Sequence, residues 1–455
     1  MSWQPRKTTL TRYGGWLPAN PAVHKSFIQH LGQRSATAHR ARAAHTEPVA
    51  KFQAAINADP EMVALWNQIF LQASPENNVR FNPCYSPPNH SAHFYTQITS
   101  FDQLLYHMDI IVVAPPKFHI AKDAEGNVIG EPIGVPMYLI FDLLSNTGAA
   151  YDLFRKQAFN VAMKDLLDAW GEYLMSPDSN NTLTDEEEGW FSPAAIESLE
   201  ANGRGNFNAT YVCPDPDAVN RGFTSWDHFF TREIQPQVRP VLFPENKTLI
   251  HSACESTVYR IQTGVKDHDQ FWLKGQPYSV YDMLYRDNIA QSFIGGTVYQ
   301  AFLSPQDYHR WRAPIDGTIT RAEIVPGTYY AVLPDAGAEV GDPDLKPGDP
   351  HGALIRSQAW LTLSSTRAII YIQSDNPDIG LVAFIGVGMA EVSTCTVSVQ
   401  KGQKVSTGDE LGMFHFGGSS HALIFGPQAK VTFADHVQVD QHIKVNSIIA
   451  QVSKA

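Results

Sequence analysis

The chain has 455 residues, of which 43% are hydrophobic and 18% charged, a balance that fits a globular protein able to bury a core. Its formal net charge of −12 is spread along the sequence, which argues against holding nucleic acid through a basic face or anionic lipid through charge. At about 100–200 residues per domain, this length allows two or three domains.

In chain order, the N-terminal "MSWQPRKTTLTRYGGWLP" shows no apolar core of a secretory signal. Residues 1–45 are basic and rich in Ala, His, Thr and Arg, which predicts a flexible N-terminal arm or a partly helical lead-in. "DPEMVALWNQIFLQA" places Met62, Leu65, Trp66 and Ile69 on one face behind an acidic start, the pattern of a helix. A Pro-rich loop, "NPCYSPPNHSAHFY", follows. A second helical block runs from about Tyr138 to Met175, with a stripe of Val161, Leu166, Leu167, Trp170 and Leu174. "SPDSNNTLTDEEEG" (Ser176–Gly189) reads as a solvated acidic linker, its Glu186–Glu188 triplet a surface loop rather than a cation site. Residues 46–189 are therefore predicted to form an all-helical domain with its linker.

Past Gly222 the character changes to short β-rich runs separated by turn signals, such as "STVYRIQTG", "FIGGTVYQAFL", "RAIIYIQS" and "GLVAFIGVG". Residues 190–455 are predicted as a β-rich, mainly antiparallel domain, making the whole chain α+β. Cys84, Cys213, Cys254 and Cys395 form no zinc spacing, so reduced thiols and no metal are expected. The apolar run Leu381–Val392 falls short of the roughly 18–20 residues that span a bilayer. The expectation is a soluble cytoplasmic protein without an integral membrane segment and without a nucleic-acid partner. "VQKGQKVSTGDELGMF" is patterned like the hairpin of a biotin or lipoyl carrier, but Lys401 and Lys404 precede its Gly-Asp turn. The run "FHFGGSSHALIF" follows it. Its Gly-Gly-Ser-Ser is either a hairpin turn or a place where the backbone reacts, and it lacks the G-x-S-x-G pattern of a serine hydrolase.

Five stretches in order carry a resemblance: "GFTSWDHFFTREIQPQVRP" (Gly222–Pro240), "FWLKGQPYSVYDML" (Phe271–Leu284), "SPQDYHRWRAPIDGTI" (Ser304–Ile319), "VPGTYYAV" (Val325–Val332) and "GDELGMFHFGGSS" (Gly408–Ser420). Together they resemble the phosphatidylserine decarboxylase family over roughly Phe223–Val452. The resemblance implies self-cleavage between Gly418 and Ser419 into a β chain and an α chain of one precursor. Ser419 would become a pyruvoyl group, the electron sink that forms a Schiff base with a substrate amine, without pyridoxal phosphate or metal. Ser420 is the weaker candidate for the same role. The family's processing aspartate aligns with Glu255 in "SACES", and the first of its two histidines with His309. Its second histidine aligns with Arg312, which cannot act as a general base near pH 7. His415 and His421, flanking the cleavage site, either substitute for it or are ordinary strand residues. Glu391 in "AEVST" and Phe416 are candidate substrate contacts.

The helical N-terminal domain, with "CES", "YHRW" and "MFHFGGSS", resembles the soluble fungal, L-tryptophan decarboxylase-like branch of that family. This implies a small-molecule partner, a free aromatic L-amino acid, and by analogy a homo-oligomer. Two other readings stay open: decarboxylation of phosphatidylserine to phosphatidylethanolamine, and a non-processing binding protein in which Arg312 has silenced the chemistry.

Overall fold

A computed structural model describes residues 18, 21–74, 98–122, 125–267, 278–333, 357–391 and 395–453. Cys84 with its Pro-rich loop, the first half of the Phe271–Leu284 stretch, and Val392–Thr394 lie outside the described residues. The chain divides into two units. One comprises Met1–Ser198, Asp215–Phe229 and Thr328–Ser357; the other comprises Leu199–Pro214, Phe230–Gly327 and Gln358–Ala455.

The first unit is built mainly of helices: α1 (Pro21–Ala41), α2 (Glu47–Asn57), α3 (Pro60–Ala73), α4 (Phe101–Ile111), α5 (Pro136–Ser145), α6 (Gly148–Leu153) and α7 (Gln157–Met175). The α3 start is fixed by Asp59, whose Oδ1 accepts the free N–H groups of Glu61 and Met62, with Pro60 in the first turn where it loses no hydrogen bond. Met62, Trp66 and Ile69 are buried, while Leu65 is only half-buried. In α7 the buried stripe is Phe159, Met163, Leu166, Leu167, Trp170 and Leu174. Val161, expected in that stripe, is exposed, because the 3.6-residue period running back from Trp170 passes through Met163 and Phe159 instead. Trp66 meets Phe141, Phe154 and Phe159 at ring-centroid distances of 5.8–6.4 Å.

Between the two readings of residues 1–45, Pro21–Ala41 form the 21-residue α1, which buries Val23, Phe27, Ile28 and Leu31 along an i, i+4, i+8 stripe. Two expectations for this half are corrected. The domain is not all-helical: β1 (Phe118–Lys122) and β2 (Val128–Pro132) pair antiparallel. The acidic stretch is not a free linker either. Ser179 is fully buried, the Trp190 indole donates to the Pro116 carbonyl, and Glu188 pairs with Lys117 at 2.5 Å and lies 3.3 Å from His119. Lys117 and His119 flank and begin the unforeseen hairpin, so its omission hid their acid partner.

Among the described residues the second unit holds fourteen strands: β3 (Leu249–His251), β4 (Ser256–Thr263), β5 (Thr297–Leu303), β6 (Arg310–Arg312), β7 (Gly317–Val325), β8 (Arg367–Ser374), β9 (Leu381–Met389), β10 (Cys395–Val397), β11 (Lys404–Val405), β12 (Glu410–Phe414), β13 (Gly418–Phe425), β14 (Val431–Phe433), β15 (His442–Ile443) and β16 (Ile448–Val452). Eight form one sheet in the order β11-β7-β8-β9-β13-β5-β4-β15; β10-β12-β6 and β14-β16-β3 form two small sheets. Every ladder between these strands is antiparallel, as the alternating patterns predict. The fold is α+β.

Strand β13 sits inside the large sheet, with β9 on one side and β5 on the other. Its two faces differ. Leu423 and Phe425 join Tyr299, Ala301, Leu303, Trp311, Phe384 and Phe414 in the main core, and the period of two puts Ser419 and His421 on that same face. Ser420 and Ala422 face the other way, with their cross-strand partners Phe302 and Gln300.

Candidate active site

Gly417 has φ +117°, a region where an L side chain is strained, and it turns the chain out of β12 into β13. Gly418 opens β13 opposite Met389, and Ser419 follows opposite Gly388 and Leu303. Just past Met389, Ala390 has φ +54°. A non-glycine residue held there costs about 1–3 kcal/mol and persists only where its surroundings enforce it. Glu391, next in line, is fully buried. Two unusual backbone conformations thus flank the Gly418–Ser419 bond.

Ser419 is fully buried, and its Oγ lies 3.5 Å from Nδ1 of His309, also fully buried. His309 precedes β6 and is held from three directions. Its carbonyl accepts the Phe414 N–H, its ring stacks on Phe230 with centroids 3.9 Å apart and planes 16° off parallel, and the turn before it is clamped by ions. Burial, assisted by the nearby Arg232 cation, pushes the imidazole down to about 3; Asp307 and the backbone of Pro305 and Ser304 offset part of this. The ring is therefore neutral at pH 7. With Nε2 carrying the proton, Nδ1 can accept one from Ser419.

The clamp is a buried network. Asp307 Oδ1 receives Arg204 Nε at 2.7 Å and His442 Nε2 at 3.0 Å, while Oδ2 receives the Ser304 N–H at 2.7 Å. Burial would raise the Asp307 carboxyl, but Arg204, His442 and Ser304 outweigh it and hold the group well below the usual carboxylate range. Arg232 donates to the Gln306 and Asp307 carbonyls. The turn carrying His309 is thereby fixed at three successive points.

Glu255 is placed differently from its expected role. Its two carboxylate oxygens receive Arg239 Nε and Nη2, each at 2.8 Å, and Oε2 also receives the Val445 N–H at 3.4 Å. No hydrogen bond joins it to His309; the bidentate guanidinium fork takes both oxygens. Arg312 is engaged elsewhere, its guanidinium bonded to the Tyr308 hydroxyl and 3.9 Å from Glu410. His415 sits beside Thr396, Nε2 to Oγ1 at 2.8 Å. His421 is fully buried two residues beyond Ser419, between Tyr299 and Phe384. Burial pushes it down to about 3, and neither ring nitrogen has a hydrogen-bond partner among the described residues. Phe416 is buried just before Gly417. Ser420 Oγ is 3.4 Å from Gln300 Nε2 on the opposite face from Ser419.

Sequence reasoning passed over Arg204, Arg239, Asp307 and His442. Two of them stand in stretches already quoted, Arg239 in the closing Arg-Pro of the first and Asp307 in "DYHR". An acid two residues before the candidate base was the available signal. Among the described residues there is no cluster of three or more His, Cys, Asp or Glu able to hold a metal, and no helix long and apolar enough to cross a membrane.

Two family models match, both described as phosphatidylserine decarboxylase, one over residues 226–451 and the other over residues 46–199. The chain is 60% identical to decarboxylase iboD of Amanita muscaria over 349 residues, covering 76% of this chain and 100% of that relative. It is 33% identical to an L-tryptophan decarboxylase of Psilocybe cubensis, covering 96% and 93%. A phosphatidylserine decarboxylase proenzyme of Schizosaccharomyces pombe is 29% identical over 50% of this chain and 21% of its own length. A buried serine after glycine in a central strand, a histidine beside it and these matches lead to one conclusion: the chain belongs to the phosphatidylserine decarboxylase family, a family of carboxy-lyases.

Proposed function

We propose that this chain cleaves itself between Gly418 and Ser419, converts Ser419 into a pyruvoyl group, and then decarboxylates a free L-amino acid, an aromatic one such as L-tryptophan, in the cytoplasm. The observation that carries the reading is the approach of His309 Nδ1 to within 3.5 Å of the buried Ser419 Oγ. Glycine at 418 leaves its carbonyl carbon open to the neighbouring hydroxyl. His309 takes the hydroxyl proton as Oγ bonds to that carbon. The Gly418–Ser419 C–N bond then breaks and its nitrogen gains a proton, leaving an ester. Loss of the Ser419 α-proton with the Cβ–O bond frees the Gly418 carboxylate and leaves dehydroalanine, which water converts to the pyruvoyl ketone and ammonia. That ketone supplies the electron sink for loss of CO₂ from an amine-bearing carboxylate.

The residues divide this work. Arg204, Asp307 and His442 hold the turn that presents His309; Glu255 with Arg239 locks neighbouring backbone rather than relaying protons. Glu391, buried two residues past the cross-strand partner of Gly418, is assigned to the substrate amine, and Phe416, buried two residues before Gly418, to a further substrate contact. His309 is a weak base in so dry a setting, which predicts slow processing. The free amino acid is favoured by relatives that span most of the chain, one named an L-tryptophan decarboxylase, whereas the phosphatidylserine decarboxylase proenzyme of Schizosaccharomyces pombe matches only half of it.

Intact mass spectrometry tests the reading. Two fragments split at Gly418/Ser419 are expected, the smaller reacting with carbonyl reagents, and Ser419→Ala is expected to stay whole. A wild-type chain that remains intact and inert would instead leave a non-processing protein. Conversion of phosphatidylserine in liposomes, with no free amino acid consumed, would move the substrate to a lipid.

A further inference from the structure

On the face of β13 opposite His309 lies a second, wholly buried polar group of side chains. Ser420 and Gln300 are fully buried, as is Gln358, the first residue of a short helix, Gln358–Ser364; Tyr278 is 1% exposed. The Tyr278 hydroxyl donates to Gln300 Oε1 at 2.7 Å. This fixes the Gln300 amide so that Nε2 faces the Gln358 carbonyl at 3.0 Å, Gln358 Oε1 at 3.4 Å and Ser420 Oγ at 3.4 Å. The last two contacts are long for a hydrogen bond. Gln358 Nε2 has no acceptor among the described residues. A buried amide N–H left unpaired costs about 1–3 kcal/mol, so a second carboxamide here is expensive unless something completes it. Its place is specific: it lies one side chain from Ser420, the residue that directly follows the one proposed to become reactive.

We propose that Gln358, oriented through Gln300 and Tyr278, binds the carboxylate of the substrate; this rests on the decarboxylase reading above. Every amino-acid substrate brings an α-carboxylate, an acceptor that matches an unpaired amide donor. Neutral amides also suit the reaction. An arginine would stabilise the carboxylate charge in the ground state and resist its loss as neutral CO₂, whereas amide donors orient the group and leave its charge poorly compensated.

The test uses the processed enzyme and whichever common L-amino acid wild type decarboxylates fastest. Its desamino acid and its product amine serve as non-reacting probes in calorimetry; for L-tryptophan these are indole-3-propionate and tryptamine. Gln358→Leu is expected to cleave normally at Gly418/Ser419, to raise KM and weaken desamino-acid binding about tenfold, and to leave amine binding within twofold. Gln358→Glu, which sets like charges together, is expected to weaken the desamino acid further. Should Gln358→Leu fail to fold, Tyr278→Phe, which releases the Gln300 amide, is expected to shift the same two quantities by a smaller factor. Unchanged KM and unchanged probe binding in cleaved, active variants would overturn the assignment, as would equal weakening of acid and amine. A wild type that neither cleaves nor turns over any amino acid would overturn the decarboxylase reading itself.

Discussion

In the proposed processing His309 is the base, because its Nδ1 lies 3.5 Å from Ser419 Oγ. Replacement by alanine is expected to slow appearance of the two fragments by about 10²–10⁴-fold, the usual worth of a positioned base, as a gel time course would show. Its neutral state gives a second expectation. Because burial holds it down to about 3, cleavage rate is expected to show no inflection near pH 6.5; such an inflection would mean that the acting base titrates like an exposed imidazole. Glu255 behaves differently. Glu255→Gln leaves the Arg239 charge buried without its counter-ion, and breaking a buried pair costs about 3–5 kcal/mol. The expected signature is a large drop in the urea midpoint of an otherwise cleavable chain.

At the scale of elements, the turn from Ser304 to His309 joins β5 to β6 and is set by Asp307 more than by the strands. Asp307→Asn keeps shape but weakens the bonds from Arg204 and His442 at one stroke. Stability is expected to fall, and cleavage to slow about tenfold or more as His309 loosens, while Asp375→Asn, an exposed acid paired with Lys404, is expected to leave cleavage unchanged. The strands and their antiparallel pairing are legible in the sequence because alternation and turn residues act over a few positions. The β1–β2 hairpin is not: "FHIAKDAEGNVIGEP" is short and charged, and little in its pattern marks it as a strand pair. α1 stays an open alternative in the sequence, since its basic composition competes with a sound apolar stripe.

For the whole molecule, the buried imidazoles make acid a destabiliser. His309 and His421 both have folded values near 3 against an ordinary 6.5. Between those limits the unfolded chain binds protons that the folded chain refuses, so stability is full above about pH 6.5 and is lost as pH falls toward 3. Each group contributes a slope of about 1.4 kcal/mol per pH unit well inside the window. Urea unfolding at pH 7.5, 6.0 and 5.0 is expected to show a falling midpoint, and His421→Phe is expected to remove one of the two contributions while sparing the fold.

The sequence by itself determined the α+β class, the family resemblance, and the identities of Gly418, Ser419 and His309 as candidates, because motif residues and short-range periodicity are written locally. The tertiary structure decided which groups meet. Glu255 and Arg239 are 16 residues apart, Asp307 and His442 135 apart, and no spacing rule connects them. Which carboxylate serves the histidine depends on how the sheet register and the buried arginines distribute charge. That is why the acid aligned with the processing aspartate, Glu255, is bound to Arg239, and the acid that secures His309 is Asp307.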